Sequence, residues 1–441
     1  MEISLTRAQS LNPLHVTCLS SAVVQLFVLG IQIVVTTNSA KGQGMRSTPE
    51  AYKLALKIEP EDIAGFGAKV PTAHDMLQYA PPAYNQDGGT CVGWAAGHCA
   101  MSILANKSFG IVHPIHKDLG SFDPLFTYTI ANSGTVDPCD EGMFIGQHFE
   151  IQESIGIVRE LFPPTLFCYS QWQLDEDGIP LSNQYQLAAA PYKMTHWGWL
   201  NTDTTGWLRD MKTYLANDIP LVFGAIVNDN LDFSWYGGQI GPDAVWKYEN
   251  TENGEAGLHA MCIIGYDDSV AGGAFLVRNS WGDNFGVEGN FWLRYSDFQE
   301  VEDETWVLEP DEWWENLDEP DTYEVTIKET GSVIQYQRVE MNQSIFEGFY
   351  FPGERMLAYH FFKDGTVYFG ECKDYLLDGK GYYWDEAGDR YSVKSRQGRL
   401  IKSKLGFVQN EGQEETTNEL YLESLFESET PEFTGELPNP E

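Results

Sequence analysis

The residue best suited to chemistry in this sequence is Cys91, which ends the run NQDGGTC. Residues 91–104 are rich in alanine and apolar side chains and contain no proline, which predicts a helix. A thiol at the start of a helix lies at the positive end of the helix dipole, which favours the thiolate. Because a neighbouring base makes a thiolate far more useful as a nucleophile, the sequence should supply a histidine elsewhere.

A candidate base and a residue to orient it occur together further along the chain. Residues 257–266 predict a buried strand containing His259, and residues 274–282 predict a second strand that ends in Asn-Ser-Trp-Gly. The Asp-Asp-Ser and Gly-Gly residues between them indicate a hairpin. Paired strands would bring His259 and Asn279 close enough for the amide to hold one imidazole nitrogen while the other faces Cys91.

The order of three motifs, Gln-x-x-x-x-Cys, Gly-x-His-Ala and Asn-Ser-Trp-Gly, resembles that of the papain-like cysteine peptidases. The run Gly-Thr-Cys-Val-Gly-Trp is similar to the nucleophile segment of their secreted bacterial members. The resemblance covers residues 70–308. It implies that Cys91 is the nucleophile, that His259 is the general base and acid, and that Asn279 orients the imidazole.

The resemblance also implies supporting roles and a fold. Gln86 would donate a side-chain hydrogen bond to the oxyanion, and Trp281 would shield the Asn279–His259 hydrogen bond from water. The expected fold class is α+β, with a helical lobe, an antiparallel β-sheet lobe and the active site in the cleft. The substrate would be a protein or peptide, and no cofactor is implied. Five residues are expected to line the cleft: Gly88, Gly89, Gly142, Leu258 and Trp281.

Two positions depart from the family pattern. Gln86 stands five residues before the nucleophile, where six is usual, and Val92 follows it, where tryptophan is common. The Gly88-Gly89 pair could absorb the shorter loop. Of the four catalytic assignments, the oxyanion donor is therefore the one that the sequence supports least.

Composition limits the partners. The 441 residues are 42% hydrophobic and 13% aromatic, which is typical of a folded protein, and the formal net charge is −38. Such a charge argues against nucleic acids and anionic membranes as partners, since both would repel the chain. We expect a monomer. No pair of cysteines or histidines has the spacing of a zinc site, so no metal is predicted.

The N-terminal region predicts export. Residues 22–35 form an apolar run too short and interrupted for a membrane span, and small residues follow it, so residues 1–40 predict a signal peptide. A retained anchor and an ordinary buried segment are the alternatives. The expected location is secreted or periplasmic, with no membrane span in the mature chain. Residues 41–69 predict a connector, too small for the long helical propeptide of many family members, so zymogen control is not expected.

The resemblance places half-cystines near Cys139 and Cys168, although the customary partner before the nucleophile is missing. In an exported protein these two could pair with each other, but sequence does not determine connectivity, so paired and free thiols both stay open. Residues 143–161, between these two cysteines, and residues 204–217 predict helices, and residues 220–225 predict a buried strand.

The C-terminal third has a different composition. Residues 300–324 carry twelve acidic residues and no Lys or Arg; their first part should complete the catalytic domain, and residues 309–325 predict an acidic linker. Residues 326–408 predict a small all-β accessory domain, with aromatics and glycines at a period of 23 that resembles MORN hairpin repeats. A spacer and a domain that binds a surface or protein partner are both consistent with it. Residues 409–441 predict a disordered acidic tail.

These features predict a secreted cysteine endopeptidase with a Cys91 acyl-enzyme. Two alternatives stay open. The first is an aminopeptidase or transpeptidase that uses the same intermediate. The second is a non-catalytic binding protein on a peptidase scaffold. The intact Cys, His and Asn set argues against this second alternative.

Overall fold

The computed structural model describes residues 24–28, 31–35, 44–50, 53, 69–86, 88–132, 141–159, 188–194, 196–227, 243–248, 257–309, 321–326 and 333–405. The chain divides into two compact units, Met1–Lys41 and Gly42–Glu441. In the first unit, strands β1 (Val24–Val28) and β2 (Ile31–Val35) form an antiparallel hairpin. The signal peptide stays a prediction. Within the described ranges, no helix combines the length and apolar character needed to cross a membrane.

Helices dominate the first half of the second unit. The predicted helix at Cys91 is present: Cys91 and Val92 are helical and lead into α1, which has π-helical hydrogen bonding and continues directly as α2. The further helices of this region are α3, α4 and α5. The bounds are α1 (Gly93–Met101), α2 (Ser102–Ser108), α3 (Pro114–Leu119), α4 (Phe126–Ala131) and α5 (Ile145–Ser154).

The helix predicted over residues 143–161 is shorter than expected at both ends. Met143 and Phe144 form strand β5, and the helix ends at Ser154. Gly156 follows with a φ of 103°, a conformation that only glycine adopts easily, so the helix cannot continue. A tertiary contact causes the difference at the start, because β5 pairs with a strand from the N-terminal segment, β3 (Met45–Arg46).

An eight-stranded sheet forms the second half of residues 70–308, the predicted catalytic domain, which we call the catalytic region. The predicted hairpin is confirmed, because β9 and β10 are adjacent and antiparallel. The order is β6-β12-β7-β9-β10-β11-β8, with β4 also on β9, and only the β11–β8 pair is parallel. The strands are β4 (Ala73–Asp75), β6 (His196–Leu200), β7 (Leu221–Val227), β8 (Val245–Trp246), β9 (Gly257–Asp267), β10 (Ala274–Arg278), β11 (Asn290–Arg294) and β12 (Glu302–Glu309).

Two helices cover this sheet, α6 (Trp207–Ala216) and α7 (Tyr295–Val301). The first matches the helix predicted over 204–217, and its buried side carries Met211, Tyr214 and Leu215. Together, the helices and the antiparallel sheet give the predicted α+β architecture.

The C-terminal region is an eight-stranded antiparallel meander in which each strand pairs with the next in sequence. Its strands are β13 (Asp321–Thr326), β14 (Val333–Glu340), β15 (Ser344–Tyr350), β16 (Arg355–Phe362), β17 (Val367–Lys373), β18 (Leu376–Trp384), β19 (Arg390–Arg396) and β20 (Arg399–Leu405). The predicted linker 309–325 therefore ends too late, since residues 321–325 already belong to the sheet. The described part of the C-terminal region is all-β, as predicted, while its resemblance to MORN repeats stays a prediction.

This sheet packs directly against the helical region. Glu347 on β15 is fully buried and accepts hydrogen bonds from Arg159 Nε at 2.5 Å, from Tyr336 at 3.2 Å and from Tyr192. Arg338 Nε lies 3.3 Å from the same carboxylate. We call these five residues the Glu347 cluster. Because Arg159 and Tyr192 come from the catalytic region, the cluster joins the two regions through a buried charge.

Three predictions lie outside the described residues. They are the Cys139–Cys168 disulfide, the acidic tail over 409–441, and most of the connector over 54–68.

Candidate active site

Cys91 is completely buried at the start of the central helix. Its sulfur accepts a hydrogen bond from the backbone N–H of Ala260, with a nitrogen–sulfur distance of 3.4 Å. Ala260 directly follows His259 on β9. The fold therefore brings the two predicted catalytic segments together across the boundary between the helix and the sheet.

His259 is held by the residues that the sequence assigned to it. Its Nε2 lies 2.8 Å from Asn279 Oδ1. The indole of Trp281 is nearly parallel to the imidazole, with ring centroids 4.9 Å apart and an interplanar angle of 22°. All three residues are buried. Asn279 therefore fixes the orientation of the ring and Trp281 covers one side of it.

The state of the thiol differs from the sequence-based expectation. Burial raises the pKa of the Cys91 thiol, and the N–H groups of Ala260, Gly44, Val92 and Cys91 itself oppose that effect without outweighing it. The expectation of a favoured thiolate is thus wrong for this state of the molecule. Its physical cause is the removal of water, which disfavours the charged form more than the helix start favours it.

Gln86 is close to the site, but its side chain is used within its own loop. Its Nε2 donates to the carbonyl of Gly88 at 2.9 Å, and its Oε1 accepts from the Ser280 hydroxyl at 2.5 Å. The backbone N–H of Gln86 also donates to the Ser280 carbonyl at 2.7 Å. These bonds fix the shortened loop against the segment that follows β10 and carries Asn279.

A segment of the chain itself lies in the cleft. We call residues 44–50 and Lys53 the strap. Gly44 contacts the Cys91 sulfur through its backbone N–H, and its carbonyl accepts the N–H of Met143 at 2.9 Å. A Cβ atom added to Gly44 would collide with the backbone of Gly89, and one added to Gly142 would collide with Gly44. Two of the predicted cleft glycines, Gly89 and Gly142, therefore enclose the strap beside the nucleophile.

The next residue of the strap fills a pocket in the sheet. The buried side chain of Met45 lies where a side chain at Gly224 would project. Gly224 pairs with Ala260 on one side and with Glu304 on the other. The pocket therefore adjoins the residue whose N–H contacts the nucleophile.

The far end of the strap is held by a buried ion pair. Lys53 Nζ lies 3.1 Å from Glu304 Oε2, and these side chains are 3% and 0% exposed. Thr48 donates to the same carboxylate twice, from its backbone N–H and from its hydroxyl, each at 3.0 Å. The strap is therefore anchored at both of its described ends.

The predicted connector over residues 41–69 makes contacts that the sequence did not indicate, and the absence of zymogen control stays a prediction. The sequence predicted only a connector and no zymogen control, because the segment is short. The structure shows that a short segment is long enough to cover the sulfur. Of the other predicted cleft residues, Gly88 accepts a hydrogen bond from Gln86 through its carbonyl. Leu258 is half-buried and pairs with Ile226 on β7.

Sequence reasoning missed Gly224, Glu304 and the strap. The run LVFGAIV of β7 contains one glycine among apolar residues, and such a glycine can indicate a close approach of another chain segment. No comparable signal identifies Glu304, which lies in a strongly acidic stretch.

Part of the chain matches a known protein family. Residues 183–307 match the family model described as papain family cysteine protease. The matched region contains His259, Asn279 and Trp281, and Cys91 lies before it. An uncharacterized peptidase C1-like protein of Acanthamoeba polyphaga mimivirus is 27% identical over 88 residues, which is 20% of this chain and 26% of the viral protein. The chain thus spans about a quarter of that relative's length.

Several solved structures are similar to this chain at lower sequence identity. Xylellain, a cysteine protease from Xylella fastidiosa, is 23% identical with a TM-score of 0.46, covering 62% of this chain and 97% of that structure. Procathepsin B S9 from Trypanosoma congolense is 14% identical with a TM-score of 0.44, covering 63% and 91%.

Proposed function

We propose that the papain-family cysteine protease domain of this chain is a secreted endopeptidase that cleaves peptide bonds through an acyl-enzyme on Cys91. One observation carries the proposal. The N–H beside His259 reaches the Cys91 sulfur at 3.4 Å while Asn279 holds the imidazole at 2.8 Å. A nucleophile, a base and a residue that orients the base thus converge from two distant parts of the chain.

The chemistry follows from this arrangement. Asn279 is bound to Nε2 of His259, so we assign Nδ1 to proton exchange with the thiol. The Cys91 thiolate attacks the scissile carbonyl, and His259 then protonates the leaving amine. Water, deprotonated by the same imidazole, hydrolyses the thioester. The backbone N–H of Cys91 and the second amide hydrogen of Gln86 are the assigned oxyanion donors.

The strap blocks access to the nucleophile. It contacts the sulfur, fills the pocket at Gly224 and buries the nucleophile, so the described conformation is an occluded one. Activity requires the strap to move or to be removed.

Export and the role of the C-terminal sheet belong to the same proposal. The apolar run over residues 22–35 supports secretion or a periplasmic location. The Glu347 cluster supports a C-terminal sheet that stays with the catalytic region, and a protein or surface partner for it is a further part of the proposal. An aminopeptidase or transpeptidase would use the same site, and a binding protein would not need the thiol.

Covalent labelling tests the proposal. The full-length protein is incubated with a peptide vinyl sulfone under reducing conditions, both as wild type and as Lys53→Met, which loosens the strap. We expect one adduct on Cys91 in Lys53→Met, none after Cys91→Ala is added, and an unchanged adduct after Cys372→Ala, which alters a buried cysteine of the other sheet. Peptide hydrolysis should fall about a thousandfold or more with Cys91→Ala.

Failure of both proteins to react, with folding intact by circular dichroism, would favour the binding protein. Transfer of the acyl group to an added amine, in place of hydrolysis, would favour the transpeptidase. Cleavage confined to N-terminal residues would favour the aminopeptidase.

A further inference from the structure

Two further cysteines meet between the helix of the nucleophile and the strand of the base. Cys99 lies on α1, after Cys91, and Cys262 lies on β9, after His259. Both are buried, at 3% and 0% exposure, and both are free thiols. Their side chains hydrogen-bond to each other. The helix and the strand therefore make a second contact through sulfur, beyond the one at the nucleophile.

A buried guanidinium lies beside this pair. Arg278 is 8% exposed and is the register partner of Cys262 on the neighbouring strand β10, so the two side chains project from the same face of the sheet. Its Nε donates to Asn290 Oδ1 at 2.7 Å, and a terminal nitrogen donates to a backbone carbonyl at 2.5 Å. Among the described residues no carboxylate forms an ion pair with it, and the charges that act on it most are those of Cys99 and Cys262, ahead of Glu288.

The guanidinium gives the two thiols different properties. Burial raises the pKa of the Cys99 thiol, but the hydrogen bond with Cys262 and the charge of Arg278 outweigh it and hold that pKa below the usual value. Burial raises the pKa of the Cys262 thiol, and the neighbouring Cys99 raises it further. Because a buried positive charge needs a negative partner, we describe the pair as a Cys99 thiolate that accepts a hydrogen bond from the Cys262 thiol.

A small cavity gives reagents access to Cys99. It is lined by Cys99 and Arg278 together with the rings of Tyr84, Trp94 and His98. Tyr84 is 39% exposed, so one side of the cavity lies near solvent. A thiolate that lines a cavity and contacts a second thiol has the arrangement of a cysteine that reacts with a small oxidant and is then resolved by its neighbour.

We propose that Cys99 and Cys262 form a reversible redox site, in which a hydroperoxide converts the two thiols into a disulfide that clamps the nucleophile helix to the strand of His259. Neither sulfur takes part in the proposed peptide cleavage. The site is therefore a modification site in addition to the catalytic centre.

The oxidation has two steps. The Cys99 thiolate attacks one oxygen of the hydroperoxide, the O–O bond breaks, and the leaving oxygen takes up the proton that Cys99 had released, which gives water or an alcohol. The sulfur of Cys262 then attacks the Cys99 sulfenic acid, so that the S–S bond forms, the S–O bond breaks, and hydroxide leaves with the Cys262 proton as water. The two sulfurs lose two electrons, which the peroxide gains. A small dithiol reverses the reaction by thiol–disulfide exchange.

The disulfide is expected to stabilise the catalytic region. It would close the long loop between residues 99 and 262, and in the chain-entropy model such loops give the largest stabilisation. It would also join α1 to β9 next to the contact between Cys91 and Ala260. The oxidised protein should therefore unfold at a higher temperature than the reduced protein.

Peroxide treatment of the full-length Cys91→Ala protein tests the proposal. This background removes oxidation of the nucleophile and makes the result independent of the peptidase proposal. After digestion without reductant, mass spectrometry should find peptides linked through Cys99 and Cys262. The thermal midpoint should rise by about 5 °C or more, and dithiothreitol should reverse both changes.

Single variants in the same background separate the two sulfurs. Cys262→Ala should stop the linkage and leave a Cys99 sulfenic acid, which dimedone traps. Cys99→Ala should leave Cys262 unmodified, because its thiol stays protonated. Cys372→Ala is the matched control, since Cys372 is also 3% exposed, but burial and the charges of Asp378 and Glu371 raise its pKa. This control should keep both the linkage and the shift of the thermal midpoint.

Absence of the linked peptides from protein that is folded by circular dichroism would overturn the proposal, as would a linkage that forms only in urea. A dimedone adduct on Cys262 in place of Cys99 would overturn the assigned order of attack. Linked peptides with an unchanged thermal midpoint would overturn the clamp. Each of these results leaves cleavage by Cys91 to the labelling experiment above.

Discussion

Two fully buried glutamates each connect another part of the chain to the catalytic region, and their carboxylates are compensated to different extents. Glu347 joins the C-terminal sheet, and Glu304 joins the strap. Burial raises the pKa of Glu347, but Arg159, Arg338 and the Tyr192 hydroxyl outweigh it and hold that pKa below the usual value. Burial also raises the pKa of Glu304, and there Lys53 and Thr48 do not outweigh it.

The difference lies in the number of donors around each carboxylate. Glu347 has two guanidinium groups and two tyrosine hydroxyls, and the guanidinium of Arg159 also lies 5.1 Å from the ring centroids of Phe122 and Tyr192. Glu304 has one ammonium group and one threonine. A fully satisfied buried charge builds a lasting interface, whereas a partly compensated one suits a segment that must leave.

The largest expected effect comes from removing the charge of Glu347. Glu347→Gln leaves two buried guanidinium groups without their carboxylate, so the free energy of unfolding should fall by about 3–5 kcal/mol. Urea denaturation followed by tryptophan fluorescence measures it. Glu354→Gln, at an exposed position in the turn between β15 and β16, serves as the control and should change little. An equal urea midpoint for both variants would show that the cluster contributes little to stability.

A smaller and different effect is expected at the strap. Lys53→Met removes the counter-ion of Glu304, but the strap can undock and let water reach the carboxylate. The free energy of unfolding should therefore change little, while the rate of Cys91 alkylation by iodoacetamide at pH 7 should rise about tenfold. Arg46→Met is the matched control, because Arg46 pairs with Glu141 at the surface, where ion pairs contribute little.

The pH dependence of alkylation sharpens this test. Burial raises the pKa of the Cys91 thiol in the occluded state, so alkylation of wild type should increase only toward alkaline pH. In Lys53→Met the exposed thiol regains water, and the profile should move to lower pH. An unchanged profile, with an unchanged rate, would mean that the strap does not control access to the sulfur.

The comparison also shows which features could be predicted from sequence. The helix at Cys91, the strand of His259 and the strand that ends just before Asn279 follow from local signals: apolar runs, without proline at the helix, and a glycine-rich turn. Pairing two strands through a short hairpin then places the imidazole and the amide together. The chemical core of the site was therefore predictable, apart from the protonation state of Cys91.

The strap and the Glu347 cluster depend on contacts that have no local signal. Residues 44–50 lack an apolar repeat, and their strand forms only because Met143 offers an edge far along the chain. Glu347 looks like a solvent-facing acid in a strand, and it is buried only because Arg159 comes from the other region. The burial of Cys91 depends on the strap, and this burial raises the pKa of the thiol. Neither could be predicted from the sequence.

A third glutamate completes the comparison and gives the smallest expected effect. Glu302, on the same strand as Glu304, is bound by two hydroxyls, Thr202 at 3.0 Å and Thr305 at 2.8 Å. Burial raises its pKa to about 7, and these hydroxyls oppose the shift only in part. Among the described residues no arginine or lysine is bonded to it, and Lys53 lowers its pKa only through its charge, so this carboxylate has the least compensated of the three environments.

The sign of the pH effect follows from this shift. The folded-state pKa lies above the ordinary value of 4.5, so ionisation opposes folding, and stability is lost as the pH rises from 4.5 through about 7. Glu302→Gln removes that loss. The variant should be more stable than wild type by roughly 1–2 kcal/mol at pH 8 and no more stable at pH 4. Thermal unfolding at both pH values measures the difference, with Glu300→Gln as the exposed control. A gain of the same size at pH 4 would mean that ionisation of Glu302 is not the cause, and that hydroxyl donors alone suffice for a buried carboxylate in this strand.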